Sequence, residues 1–202
     1  MRPLLAFLSV PLLALPAAAQ DAPAKLRPAR DAVVTYTVQA AGQPQQQTVQ
    51  MAWLAAGELM RIEPQGAPGW MLVDRKAGKA TMVVDSQKMM MPLAPEAAAM
   101  LSQELPADTR FTRQGTDTVA GQACTNWRVA APQAESISCL TQDGILLRSV
   151  TTLPQGLTTR MEATAVSLAA QDPKRFQLPT GYTVMEMPVP AAPSPAAPAP
   201  AR

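Results

Sequence analysis

The chain has 202 residues, enough for one folded domain with short appendages, and its net charge is only +2, from 17 basic and 15 acidic residues. It contains no histidine, which excludes Ser-His-Asp and Cys-His catalysis and metal clusters built on histidine. The balanced charge, without a basic run, argues against a nucleic-acid partner, whereas 48% hydrophobic residues are enough for a packed core.

Residues 1–19 have the pattern of a secretory signal peptide. Arg2 supplies the positive charge, Leu4 to Leu15 form an apolar run, and alanines 17–19 fit the cleavage position. The run is shorter than the ~20 apolar residues that span a bilayer. We therefore expect an exported, soluble, periplasmic protein without a transmembrane anchor after cleavage, beginning with a polar lead-in over residues 20–30.

From residue 31 onward, apolar residues alternate along short segments, which is the period of a half-buried β-strand. Gly, Pro or Asp residues separate the segments, and the short connections favour antiparallel neighbours. We predict a mainly β domain over residues 31–186 with ten or eleven strands. The candidate strands run through 34–38, 49–53, 60–63, 70–73, 80–84, 89–91, 121–129, 136–142, 145–152 and 158–168.

Two of these segments, Trp70–Val73 and Met82–Val84, are apolar on both faces and need cover on both sides. One cover is the single main helix that the sequence predicts, Pro95–Leu105, which has a proline in its first turn and Pro106 after its last residue. The second cover is either the opposite wall of a curled sheet or a ligand, and the sequence leaves this choice open.

The two cysteines, Cys124 and Cys139, flank a loop centred on Ala131-Pro132. A hairpin symmetric about that centre places Cys124 opposite Cys139, and Arg128 opposite the oppositely charged Glu135. Export to an oxidising compartment favours a structural disulfide, and the spacing does not fit a C-x-x-C redox motif. Further along the chain, Asp143-Gly144 predicts a two-residue hairpin turn.

Three carboxylates, Glu63, Asp74 and Asp85, are candidates for acid–base chemistry of the glycosidase type. The chain has only eight aromatic residues that could stack on a sugar. Aspartates at strand ends commonly bond to the backbone of a turn. We therefore predict turn roles for Asp74 and Asp85, a solvent-facing position for Arg61, and no enzymatic activity.

Methionine is frequent, with 12 in the chain and three in succession at 89–91. Thioethers are suitable ligands for Cu(I), but successive strand residues point to opposite faces, so that within this run only Met89 and Met91 can converge. Methionine also fills irregular cores and apolar clefts. We therefore expect core or cleft lining, without metal or cofactor, and keep Cu(I) binding as a second alternative.

Several segments resemble LolA/LolB-like envelope proteins, and most of all the uncharacterised families of unknown function grouped with them. The segments are Gly57–Glu63, Gly69–Asp74, Thr81–Asp85, Asp117–Trp127, Ser138–Arg148 and Phe176–Tyr182. The resemblance covers about residues 31–186. It implies an antiparallel sheet curled into a half-barrel, with helical cover over an apolar concave face that holds acyl chains in the lipoprotein carriers of this group.

We therefore predict a non-catalytic envelope protein that binds an apolar or lipid-like ligand on a concave sheet. The alternative is a structural or interaction module with a closed core, which contacts another envelope protein. The proline- and alanine-rich residues 187–202 are predicted to be a disordered tail. The strand faces predict a ligand cleft lined by residues of one set: Val49, Met51, Trp53, Trp70, Leu72, Met82 and Val84.

Overall fold

The computed structural model describes residues 22–102, 105–132 and 134–185. The predicted signal peptide and the predicted tail lie outside these residues. The described part contains twelve strands. They are β1 (Ala32–Gln39), β2 (Gln46–Leu54), β3 (Leu59–Pro64), β4 (Trp70–Asp74), β5 (Lys79–Val84), β6 (Met89–Pro92), β7 (Arg110–Val119), β8 (Gln122–Ala131), β9 (Ala134–Leu140), β10 (Leu146–Thr152), β11 (Thr158–Ser167) and β12 (Thr183–Val184).

All twelve strands form one sheet in the order β12-β6-β5-β4-β3-β2-β1-β11-β10-β9-β8-β7. Strands β1 to β6 are a first antiparallel meander, β7 to β11 are a second, and the antiparallel pair β1–β11 joins the two halves. Only β12 is parallel to its neighbour, β6. The predicted fold class, a mainly β, antiparallel half-barrel with one main helix, is confirmed.

The main core lies on one face of the sheet, which we call the inner face. Its centre is Tyr36, which is fully buried and packs edge-to-face on Trp53 with 6.5 Å between the ring centroids. The Tyr36 hydroxyl donates a 2.6 Å hydrogen bond to the carbonyl of Leu146, and burial raises the pKa of this phenol. A side chain of the first half is thereby anchored to the second half.

The inner face is covered by the only α-helix among the described residues, α1 (Pro95–Leu101), whose Ala98 is buried in the core. The helix is shorter than predicted. The Ser102 hydroxyl bonds back to the carbonyl of Ala98 at 3.0 Å where the helix ends, a local bond that competes with further helical turns. Leu105, predicted to be helical, lies outside the helix and is 44% exposed.

The opposite face, which we call the outer face, is covered by residues 169–185, which we call the C-terminal strap. Besides β12, the strap contains the 3₁₀ helix Pro173–Phe176. Two shorter 3₁₀ turns lie elsewhere in the chain: Ala55–Gly57 follows β2, and Asp85–Gln87 follows β5. Phe176 is 3% exposed and packs with Trp70, Leu72 and Val83. The second cover is therefore the protein's own chain, which was neither of the two options that the sequence left open.

The strap is held by a network of charged side chains beneath it. The guanidinium of Arg61 lies 3.5 Å from the centre of the Trp70 ring and donates to Glu63 at 2.8 Å and to the carbonyl of Arg175 at 2.9 Å. Arg175 in turn donates to Glu63 and, at 2.7 Å, to Gln50. The prediction that Arg61 faces solvent is therefore wrong, because the strap covers that face.

The hairpin between β8 and β9 has a different register from the one predicted. Cys139 pairs with Asn126, and Glu135 pairs with Ala130, so the register is displaced by two residues. The predicted contacts nevertheless exist as diagonal ones: Cys124 and Cys139 form a disulfide, and Arg128 pairs with Glu135. The Cα atoms of the two cysteines are 5.4 Å apart, which is within disulfide range, and the long side chains of Arg128 and Glu135 span the diagonal. The contacts are therefore correct although the register is wrong.

Two further details of the second half differ from the sequence prediction. The turn at Asp143-Gly144 is a three-residue loop, since the amide of Thr141 donates to the carbonyl of Ile145 and only Gly144 has a positive φ there. Strand β7 was not predicted, because as an edge strand it is largely exposed and shows no apolar alternation. Within the described residues, no helix is both long and apolar enough to cross a membrane.

Candidate functional site

The first half of the inner face, where the sequence predicts a ligand cleft, is packed with the protein's own side chains. Five of the seven predicted residues lie on this face: Val49, Met51, Trp53, Met82 and Val84. Of these, Val49, Trp53 and Val84 are at most 8% exposed.

The other two, Trp70 and Leu72, lie on the outer face under the strap, because their positions alternate with those of the inner core. The structure thus divides the seven residues between the two faces of the sheet. That they bind a ligand stays a prediction.

The second half of the inner face carries an open groove with a volume of about 370 Å³. Its rim includes Met100 from α1 and Leu105, which are 83% and 44% exposed. Ser149 in the groove lies opposite Met161, whose side chain packs on the inner core, so the groove and α1 share a face. The other apolar lining residues are Leu26, Phe111, Val129, Leu140 and Leu146.

Four hydroxyl side chains run along the floor of this groove on β9 and β10, and we call them the hydroxyl ladder. The oxygens of Ser136 and Ser138 are 3.2 Å apart, those of Ser138 and Ser149 are 3.4 Å apart, and those of Ser149 and Thr151 are 3.3 Å apart. Each hydroxyl offers one donor and two acceptor positions. The ladder therefore gives the apolar groove hydrogen-bonding capacity without a charge.

Cross-links hold the strands of the floor together, and the two cysteines among them are buried in the main core. The disulfide Cys124–Cys139 joins β8 to β9. Arg128 donates to both carboxylate oxygens of Glu135, at 2.8 and 2.9 Å, and these bonds lower the pKa of Glu135. Because Arg128 and Glu135 alternate with the lining residues Val129 and Ser136, their side chains face away from the groove.

The described part of the lead-in, residues 22–30, borders the groove through Leu26. It is fixed to the β9–β10 turn, since the amide of Ala29 donates to the carbonyl of Asp143 at 2.9 Å. Lys25 and Arg30 lie 3.7 and 3.8 Å from the Asp143 carboxylate. The lead-in predicted from composition is therefore attached to the domain beside the groove, although most of its residues are exposed.

The three carboxylates singled out in the sequence are all engaged in structural contacts. Burial alone would raise the pKa of Glu63, but hydrogen bonds from Arg61 and Arg175 outweigh it and hold this pKa below its usual range. Asp74 accepts the amide of Ala77 at 2.8 Å, the predicted turn role. Asp85 begins a turn, but its oxygens accept from Trp70 Nε1 at 2.9 Å and from the Tyr182 hydroxyl at 3.0 Å.

The sequence prediction did not identify the hydroxyl ladder or the rim. One signal was available, since Ser136 and Ser138 alternate within a strand and must share a face. Ser149 and Thr151 lie opposite them because of the β9–β10 register, and no local sequence pattern specifies that register. Among the described residues, no group of three His, Cys, Asp or Glu side chains could hold a metal ion.

The fold and groove define a β half-barrel with an inner groove, a class whose architecture does not fix one function. A family model, the domain of unknown function DUF4412, matches residues 38–147, just over half of the chain. The chain belongs to this uncharacterised family, in agreement with the resemblance found in the sequence. No curated protein matches the chain significantly.

Solved structures share the fold at low sequence identity. An uncharacterised conserved protein from Thermus thermophilus has a TM-score of 0.55 and 10% identity, over 79% of this chain and 91% of that one. MucB has a TM-score of 0.57 and 16% identity, over 80% of this chain and 62% of its own. The complex of Pseudomonas aeruginosa MucA and MucB gives 0.54 and 17%, over 77% and 58%. The chain thus spans about three fifths of MucB.

A LolA superfamily protein, NE2245 from Nitrosomonas europaea, is also among the similar structures. It has a TM-score of 0.40 and 11% identity, over 75% of this chain and 92% of that one. Of the predicted resemblance, the part that named an uncharacterised family of unknown function is confirmed by the DUF4412 match.

Proposed function

We propose that the protein is an exported, periplasmic envelope protein that binds one apolar, lipid-like ligand non-covalently in the inner groove. The observation that carries the proposal is the open groove of about 370 Å³, with apolar walls and an uncharged hydroxyl floor. The signal-peptide pattern at residues 1–19 and the disulfide support export to an oxidising compartment.

The size of the groove favours a single acyl chain. Ligand sites for small molecules usually measure roughly 300–1,000 Å³, so that this groove is near the lower limit. Burying ~16 methylenes yields roughly 12 kcal/mol at ~0.8 kcal/mol each, and lost translational and conformational freedom removes much of it. We therefore expect micromolar affinity for a fatty acid.

The protein would act without catalysis. The three candidate carboxylates support this, because Glu63 is held by two arginines, Asp74 by a turn and Asp85 by Trp70 and Tyr182. A group so engaged is poorly placed to exchange protons with a substrate.

A second candidate function is that of an interaction module whose groove receives apolar side chains of another envelope protein. Two observations favour it: the first half of the inner face is already filled, and MucB, which shares the fold, forms a complex with MucA.

The test is lipid binding by the exported protein, measured by native mass spectrometry and by titration with palmitate. We expect one fatty acid per chain and a change in Trp127 emission, because Trp127 packs with Val129 and Leu140 beside the groove. The other two tryptophans, Trp53 and Trp70, are buried in packed parts of the first half and should not respond. A Trp127→Phe variant should lose the fluorescence change and keep the bound mass.

Two exposed residues provide matched variants. Met100→Glu places a charge at the rim and should weaken binding at least tenfold, whereas Leu157→Glu, at a 47% exposed position outside the groove, should have no effect. A protein that binds no fatty acid, or that binds it equally well in both variants, would leave the interaction module as the better explanation.

A further inference from the structure

Three methionines form a line across three neighbouring strands of the inner face, and we call them the methionine row. Met71 on β4 pairs with Met82 on β5, and Met82 pairs with Met91 on β6. Directly opposite residues on antiparallel strands have their Cβ atoms roughly 4.5–5.5 Å apart on the same face. The register therefore brings together three thioether side chains that are far apart in the sequence.

These thioethers are half-buried rather than sealed in the core. Met82 and Met91 belong to none of the three packed hydrophobic clusters, and Met71 is only partly buried beside the main one. By contrast, Met60 is 1% exposed within the core, and Met90 packs on the outer face. Core filling accounts for Met60 and Met90 but leaves the row at the margin of the packed region.

We propose that the methionine row is a binding site for Cu(I). Thioether sulfur is a soft ligand that favours Cu(I) over hard divalent cations. The outer two Cβ atoms are roughly 10 Å apart across two strand spacings of ~4.8 Å, and the three rotatable bonds of methionine allow their sulfurs to lean over Met82. Met89, on the same face of β6, provides a fourth thioether beside the row.

The rest of the chain offers little competition for such an ion. It contains no histidine, and its two cysteines are joined in a disulfide. The row is on strands β4–β6, whereas the groove is on β7–β10, so the metal site does not depend on the proposed ligand. The proposal departs from the sequence prediction, which expected no metal because it considered only Met89 and Met91. The alignment of Met71 and Met82 follows from strand register.

The experiment is a titration of the full exported chain with Cu(I) held by a chromogenic chelator, repeated with Ag(I) in the absence of reductant. Ag(I) has the same preference for soft ligands, and omitting reductant keeps Cys124–Cys139 oxidised, so that no thiolate binds the ion. We expect one ion per chain. Met82→Leu should weaken binding at least tenfold, and the triple Leu variant of the row should abolish it.

Met90→Leu is the matched control, because Met90 is on β6 beside Met91 but on the outer face, and it should change affinity less than twofold. Leucine nearly conserves the volume of methionine, so the fold should persist. Methyl resonances of wild-type protein give a reading without mutation: Met71, Met82 and Met91 should shift with Ag(I), and Met90 should not. Failure to take up either ion, or uptake unchanged in the triple variant, would overturn the proposal.

Discussion

At the scale of single residues, charged side chains hold the strap on the outer face. Arg61 and Glu63 lie on β3, and Arg175 lies on the strap. Arg61 stacks on Trp70, and both Arg61 and Arg175 bond to Glu63. The side chain of Arg61 is 16% exposed and that of Glu63 is 30% exposed. A half-buried carboxylate with two arginine partners fixes the strap in one position, since removing any member leaves the others without full partners.

This network predicts how stability depends on pH. The pKa of Glu63 is lowered in the folded protein and is about 4.3 in the unfolded chain. Its contribution to the free energy of unfolding is therefore complete above that value and is lost as the pH falls through the lower, folded-state pKa. Glu63→Gln should have a lower Tm than wild type at pH 7, and the difference should close between about pH 4 and pH 3.

The measurement is a series of thermal unfolding curves of both proteins from pH 7 to pH 3. Asp108→Asn, at an exposed carboxylate before β7, is the control, and its Tm should follow wild type throughout. Asp117 and Glu135 also have lowered pKa values, so the comparison with the variant, and not the acid unfolding itself, identifies Glu63. A Tm difference that stays constant down to pH 3 would show that the arginine contacts do not act through the charge of Glu63.

At the scale of elements, the lead-in and the strap cover parts of the sheet although neither contains a long strand or helix. The lead-in borders the groove, and the strap covers the outer face. Both are irregular over most of their length and are positioned by a few side chains and close backbone approaches. Such approaches require small residues, and Gly144 is one, with φ +78° and an added Cβ only 2.2 Å from the carbonyl oxygen of Arg27.

Gly144→Ala should therefore displace the lead-in as well as strain the turn. Gly156→Ala is the matched control, because Gly156 has φ +77° but no atom within 4 Å of an added Cβ. In both variants the free energy of unfolding should fall by about 1 kcal/mol, because alanine is strained at a positive φ. Only Gly144→Ala should also speed tryptic cleavage after Lys25 and Arg30. Equal cleavage rates would mean that the lead-in is not held by this turn.

The elements show how far the sequence was informative. Alternating apolar residues identified strands with one buried face, because such burial leaves a period-two pattern, and continuous apolar runs identified the two strands that are covered on both faces. Strand β7 and the strap escaped, since an exposed edge and an irregular segment leave none. The groove also escaped, because its lining combines residues from the lead-in, α1 and four strands whose register and curvature are tertiary properties.

At the scale of the whole molecule, the sheet has one closed half and one open half. In β1–β6 both faces are covered, by α1 on the inner side and by the strap on the outer side. In β7–β10 the inner face leads into the groove. None of the residues that line the groove belongs to the main core, so a ligand can enter without breaking that core.

Residues 186–202 and the strap are expected to contribute differently to the stability of the fold. Removing residues 186–202 should leave Tm unchanged, because this proline-rich sequence has no periodic apolar face. Phe176→Ala should lower Tm by roughly 6–12 °C, if losing this 3% exposed ring costs ~3 kcal/mol and each kcal/mol shifts Tm by ~2–4 °C. Leu178→Ala, at a 40% exposed strap position, is the control and should have little effect. Thermal unfolding of the three proteins beside wild type decides the matter. A drop of several degrees on truncation would show that the tail packs on the domain, and an unchanged Tm for Phe176→Ala would show that the strap does not stabilise the outer face.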